Sequence, residues 1–253
     1  MKEWLNHIEA EYGIEILFAC EVGSRAWGYA SPHSDQDIRF IYKHHDTRNY
    51  FSLDPPLEVI TVKSPYDAQG WDIQKAFRLL RKSNPNLFEW SYSPNVYLNK
   101  DNFQTKLQRI VKRGYSPFSL CMHYLNLARR IIKEIDRSKF TNQEQKHLLY
   151  CLRSLMIFRG LVQSSTVSGQ LIPSEAHINN MSCSPEHRVF VNLINAKKRG
   201  ELIIEEDRES AYILVEQLIN EYKSEEINAL AKGTNLTKPL NEWLWEIIGL
   251  WRE

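Results

Sequence analysis

The stretch Ile14–Val22, IEILFACEV, constrains this chain more than any other. It is apolar almost throughout, interrupted only by Glu15 and Glu21. A run of that length and density reads as a β-strand covered on both faces. The chain therefore has to build a sheet with a layer on each side. Upstream, residues 2–11 place Trp4, Leu5 and Ile8 on one helical face, and Gly13 ends that helix. Downstream, the run stops at Gly23-Ser24 and gives way to the polar and aromatic stretch RAWGYASPHS. A second strand is expected over Asp37–Tyr42, where Ile38, Phe40 and Tyr42 alternate with polar residues.

Residues 43–56 read as a polar loop ending in Pro55-Pro56, and 57–63, LEVITVK, as a third strand. The segment SPYDAQG has the composition of a turn. A helix follows over roughly residues 72–82, with Ile73, Ala76, Phe77 and Leu80 on one face. Asn84-Pro85 then opens a short helix, NPNLFEWSY. From about residue 101 helical periodicity dominates. Leu120 to Ile135, Leu148 to Met156, Ile213 to Ile219 and Leu240 to Trp251 each carry an apolar stripe. Residues 163–186, rich in Ser, Asn and Pro, read as a long loop. The expected class is α+β: a small mixed-sheet domain over residues 1–100 and a helical domain over 101–253.

The 253 residues carry a net charge of +1, so no global basic field marks the chain as a nucleic-acid binder. A local basic groove is compatible with that balance. Cys20, Cys121, Cys151 and Cys183 are scattered, without metal-site spacing, and read as buried thiols of a reducing compartment. The N-terminus is polar, and no apolar run approaches the about 18 residues of a membrane span. A cytoplasmic location is expected.

The chemistry sits in residues 22–40. Gly23-Ser24 follows an apolar strand, and Asp35-Gln36-Asp37 leads into the next. A strand ending in Gly-Ser before a helix offers backbone N–H groups to phosphate oxygens, and a glycine lets the chain approach closely. The Ser24 hydroxyl adds a donor. Aspartates two apart on a strand share a face. Two hard oxygen ligands side by side suit Mg²⁺, which takes one or two carboxylates together with substrate phosphates. Paired metals about 3.5–4 Å apart serve in-line displacement at phosphorus. The layout fits phosphoryl or nucleotidyl transfer from a triphosphate. Each half alone is a common loop feature, a Gly-Ser pair or an Asp-capped turn; the combination between two strands is what carries weight.

Gly-Ser followed about ten residues later by Asp-x-Asp resembles the signature of the DNA-polymerase-beta nucleotidyltransferase superfamily. More narrowly, GSRAWGYASPHSDQDIRFIY resembles the bacterial RNA-repair-pathway DNA-polymerase-beta family. The likeness continues through GWDIQKAFRLLRKSNPNLFEWSYSP, HYLNLARR and LYCLRSLMIFRGL. It implies Asp35 and Asp37 as ligands of Mg²⁺ (or Mn²⁺), a nucleoside triphosphate as substrate, and a third carboxylate on a neighbouring strand. Asp72, in GWDI, is the expected third acid and proton acceptor, with Glu58 and then Asp67 as alternatives. Gln36 departs from the apolar residue the superfamily often places between the aspartates.

Gly23, Ser24, Arg25 and Arg39 are the expected contacts of the triphosphate, although either arginine equally fits a structural ion pair. Trp27 and Tyr29 fit a stacking wall or loop packing. Lys75, Arg78, Arg81 and Lys82 line one helix, as a groove or a solvated face. Asn84 resembles a family position without a derivable role. Tyr150, Arg153 and Arg159 fit nucleotide contacts or salt bridges. His123 reads as a satisfied core histidine, and Lys197-Lys198-Arg199-Gly200 as a solvated helix end. The leading expectation is an enzyme moving a nucleoside monophosphate to an acceptor hydroxyl of RNA, a small molecule or a protein. A silent nucleotide-binding module that regulates a partner is the main alternative, and a two-metal nuclease a third.

Overall fold

The computed structural model describes residues 1–174 and 185–250. A mixed sheet in the N-terminal part and helices in the remainder make up the expected α+β class. Helix α1 (Lys2–Tyr12) ends at Gly13, which takes the left-handed conformation with φ 62°. Strand β1 (Ile14–Val22) turns at Gly23 into the single-turn helix α2 (Gly23–Ala26). Then come β2 (Asp37–His44), β3 (Val59–Val62), β4 (Asp67–Asp72), α3 (Ile73–Leu80), α4 (Pro85–Ser91) and β5 (Val96–Asn99). The helices that follow are α5 (Phe103–Gly114), α6 (Pro117–Glu134), α7 (Asn142–Ser164), α8 (Pro185–Arg199), α9 (Glu205–Asn220), α10 (Ser224–Asn228) and α11 (Thr237–Ile247).

The strand order is β3-β4-β2-β1-β5, with β2 and β4 parallel and the other pairs antiparallel. Two of these strands differ from expectation. The segment that reads as a turn contains β4, and β5 carries no strong strand pattern. The physical reason for β4 lies in Gly70, which pairs with Phe40 across the parallel ladder. A Cβ at Gly70 would overlap the Phe40 ring, so the sheet demands a glycine where strand propensity would ask for a branched residue.

One sheet face buries Ile16, Ala19, Ile38, Phe40, Tyr42, Ile60 and Ala68 against Leu5 and Ile8 of α1. On the other, Phe18 stacks on Phe103 of α5 and Trp71 on Trp90 of α4, with ring centroids 6.0 and 4.3 Å apart. That double cover explains the unbroken hydrophobicity of β1.

By packing, the chain forms two units. The first comprises residues 1–26, 35–115 and 234–253; the second comprises 27–34 and 116–233. In the first unit α11 joins the sheet layer, with Trp243 4.7 Å from Phe77 and 4.8 Å from Phe103 between ring centroids. In the second unit α6 packs on α7, and α8 and α9 complete the layer. Thr141 and Glu144 cap α7 reciprocally. The buried Gln145 holds the Glu201 carbonyl at 2.8 Å and the Ile203 amide at 2.7 Å, tying down the chain after α8.

Trp27 and Tyr29 take packing roles within this second unit. The Arg153 guanidinium lies 5.4 Å from the Trp27 ring, and Tyr29 meets Phe190 edge-on while its hydroxyl donates to the Pro173 carbonyl. Arg159 pairs with Glu221 at 3.3 Å. His123 is exposed on α6 with its ring edge-on to Tyr124, unlike the core position expected. Lys197 also differs from a solvated helix end. It is half-buried and donates to the Tyr29 carbonyl at 2.7 Å, and burial together with Lys146 lowers its pKa to about 8.

Cys20, Cys121 and Cys151 are buried free thiols, the last two pushed up to about 12 by burial. Cys183, Trp251 and the middle of the expected 163–186 loop lie outside the described residues. Among the described residues no helix is long and apolar enough to cross a membrane.

Candidate active site

Strand alternation sorts the acids. In β2, Asp37 and Arg39 face one side of the sheet, and Ile38, Phe40 and Tyr42 face the α1 side. Asp37 is the first residue of β2 and stands opposite Val22 on β1 and Asp67 on β4. Asp35 and Gln36 precede the strand, and Asp35 is exposed at its entrance. The expected pair is therefore one strand residue and one loop residue.

Gly23 brings the bend after β1 against Asp37. Its φ is 71°, and a Cβ there would overlap the Asp37 carboxylate. The Gly-Ser bend and the second aspartate thus touch, with the missing side chain of one making room for the carboxylate of the other. Gly23→Ala is expected to displace Asp37 and to strain the bend together. The melting temperature should fall while the circular-dichroism spectrum stays native, and a melting temperature equal to wild type would contradict the packing described.

The acid beside Asp37 in the sheet is Asp67, which pairs with it in register across β2 and β4 and acts on its carboxyl. Burial raises the Asp37 pKa; Arg39 opposes the rise, while Asp67 and Asp35 add to it. Arg39 bridges β2 and β4. Its Nη1 donates to the carbonyls of Ile38 at 2.8 Å and Asp67 at 2.9 Å. Its Nη2 lies 3.5 Å from Asp37 Oδ1 and 3.9 Å from Asp67 Oδ2. The guanidinium so held balances part of the clustered negative charge.

Asp72 stands elsewhere. It is five residues beyond Asp67 on β4, an odd step that turns it to the opposite sheet face, where it pairs with Tyr42. There it is 1% exposed, accepts from Tyr50 Oη at 2.6 Å and the Gln74 amide at 2.8 Å, and caps α3. The structure does not bring it to Asp35 and Asp37. Glu58 is also remote in role, ion-paired with Arg78 and with Lys75 at 3.7 Å. Arg81 and Lys82 are exposed at the end of α3. Asn84 caps α4, accepting from Asn86 and Leu87 amides at 3.0 and 3.3 Å ahead of Pro85.

Ser24 is nearly buried in α2. Arg25 reaches back to Glu21, Nε to Oε1 at 2.9 Å, with its side chain 43% exposed. Both expected arginines are thus ion-paired in this state.

The Asp37 carboxylate fills the space left beside Gly23, with Asp67 paired to it in register and Asp35 near enough to act on its charge. Carboxylate oxygens are the donors Mg²⁺ or Mn²⁺ takes, but among the described residues no group of three or more His, Cys, Asp or Glu is arranged to hold a metal ion by itself. An open group of this kind suits an ion that completes its shell with phosphate oxygens and water.

The model of the RNA repair pathway DNA polymerase beta family matches residues 1–246. The uncharacterized protein YcgL of Bacillus subtilis (strain 168) is 31% identical over 258 residues, covering 98% of this chain and 96% of that protein. A solved structure of a nucleotidyltransferase-like protein from Exiguobacterium sibiricum aligns at 13% identity with a TM-score of 0.35, over 100% of this chain and 81% of that one.

Proposed function

Since the chain belongs to the RNA repair pathway DNA polymerase beta family, we propose that it is a metal-dependent nucleotidyltransferase in which Asp35, Asp37 and Asp67 serve as the acidic group. It takes a nucleoside triphosphate and transfers the nucleoside monophosphate to an acceptor hydroxyl, with release of pyrophosphate. The observation that carries the reading is the convergence, at one end of the central strands, of Gly23 with the Asp37 carboxylate and of Asp37 with Asp67.

In this reading Asp35 and Asp37 hold Mg²⁺ or Mn²⁺, and Asp67 joins them. When bound, such ions neutralise the triphosphate and polarise the phosphorus under attack. The remaining work belongs to the chain. Gly23 keeps the bend close to the acids, and its backbone with Ser24 orients the triphosphate. Arg25 and Arg39 are long enough to leave their carboxylate partners for phosphate oxygens, where a guanidinium binds in a fork. Asp67, 57% exposed, is placed to accept the proton of the acceptor hydroxyl. Positioning and charge neutralisation supply most of the rate in transfers of this type. An RNA 3′ hydroxyl is the acceptor favoured by the family description.

The test is incubation with each α-labelled nucleoside triphosphate, Mg²⁺ or Mn²⁺, and separate pools of RNA, small molecules and protein. Label should enter one pool with matching pyrophosphate, and a chelator should abolish it. Cleavage of RNA without pyrophosphate would replace transfer by nuclease action. Nucleotide binding without either product would make the chain a silent module.

A further inference from the structure

Glu21 lies just ahead of the Gly23-Ser24 bend and is 4% exposed. A carboxylate so deeply placed has to be fully partnered. Arg25 Nε donates to its Oε1 at 2.9 Å and Asn95 Nδ2 donates to its Oε2 at 3.0 Å, and the Tyr97 hydroxyl stands near enough to feel its charge. Its backbone is clamped as well. The Glu21 amide donates to the Asn95 carbonyl at 2.9 Å, and Ser93 Oγ donates to the Glu21 carbonyl at 2.6 Å. The Tyr97 oxygen in turn accepts from Gln36 Nε2 at 2.8 Å.

Gln36 is the residue between the two aspartates. Gln36 is thus held by Tyr97 on β5, which neighbours Glu21 on β1, and Glu21 in turn holds the Arg25 guanidinium beyond the bend. The polarity is consistent. The amide of Gln36 gives to the phenol, while Arg25 and Asn95 each give to one oxygen of the carboxylate. An apolar residue in place of Gln36 would leave the Asp35–Asp37 segment without this lateral anchor. Asp35 in particular lies outside the β2 ladder, so no strand pairing fixes it.

We propose that Gln36, Tyr97 and Glu21 are positioning residues that set the Asp35–Asp37 segment against β1 and tie it to Arg25, so that a divalent cation meets carboxylates already in place. The inference rests on the metal-dependent reading above. Hydrogen-bond partners behind metal ligands typically matter by roughly 10–100-fold in affinity or activity.

The experiment measures Mn²⁺ binding to the full chain without nucleotide, by electron paramagnetic resonance, alongside kcat, KM and melting temperature. Tyr97→Phe keeps the ring and removes the hydroxyl; Gln36→Leu removes the donor. Each should weaken Mn²⁺ binding by about tenfold and lower kcat more than it raises KM for the triphosphate. The double variant should lose no more than the worse single one, because both break the same hydrogen bond. Wild-type Mn²⁺ affinity in both variants, or additive losses, would overturn the positioning role alone. A wild type that takes up no Mn²⁺ and transfers nothing would overturn the metal-dependent reading, and the positioning role with it.

Discussion

Asp37→Asn should abolish nucleotidyl transfer and at the same time make the protein harder to unfold. The loss follows from removing the acid that meets the Gly23 bend and pairs in register with Asp67. Metal-derived charge stabilisation is worth several kcal/mol, which corresponds to a fall of roughly 10³-fold or more. The gain follows from electrostatics. Burial raises the Asp37 pKa, and Asp67 and Asp35 raise it further against the pull of Arg39. The folded state therefore prefers the protonated acid. Its stabilising share is fully present below the unfolded carboxyl value of about 3.9 and is lost as pH rises through the elevated folded value. At neutral pH the ionised acid burdens the fold, so the neutral amide should raise the melting temperature by a few degrees. Near pH 3 the two proteins should melt together. Added Mg²⁺ should reverse the ranking, since an ion binding the native wild type at a hundred times its Kd stabilises by about 2.7 kcal/mol. Thermal melts of both proteins across pH, with and without Mg²⁺, check every part. A variant less stable at pH 7 and without metal would refute the charge assignment.

The second large effect separates two aspartates that sit five residues apart. Asp67→Asn should lower transfer by roughly 10²-fold or more, the scale of a lost proton acceptor, with little change in stability because the side chain is 57% exposed. Asp72 should behave in the opposite way. Asp72→Ala removes the cap of α3 and strands the Tyr50 hydroxyl, and should cost about 2–4 kcal/mol in denaturant unfolding. Asp72→Asn keeps the cap acceptor and should transfer at close to the wild-type rate. Full activity in Asp67→Asn combined with loss in Asp72→Asn would restore Asp72 as the third acid.

The expectation for Asp72, which the structure sets apart from Asp35 and Asp37, has a definite origin. Ser64 to Gly70 contains proline, aspartate and glycine and no branched residue in its second half, so it reads as a turn. A strand exists there because β2 offers a parallel edge and because the Phe40 ring needs the space over Gly70. Neither fact is local in sequence. Once β4 is missed, Asp67 has no strand to stand on and Asp72 becomes the nearest acid in a family-like stretch. Gln36 illustrates the same limit, since its partner Tyr97 lies on β5, sixty-one residues away. What was legible was local: the run of β1, the bend at Gly23-Ser24, and the two aspartates at the mouth of β2. Those features owe their pattern to period, turn chemistry and charge, which a single sequence displays directly.

The seat of Trp243 between Phe77 and Phe103 bears on synthesis. All five strands of the sheet precede residue 100, yet the aromatic slot beside them stays open until α11 emerges. A nascent chain must keep that oily cleft out of trouble while more than a hundred further residues are added. Early termination anywhere before α11 would release a sheet with a greasy notch on its flank, a ready target for chaperones and proteases.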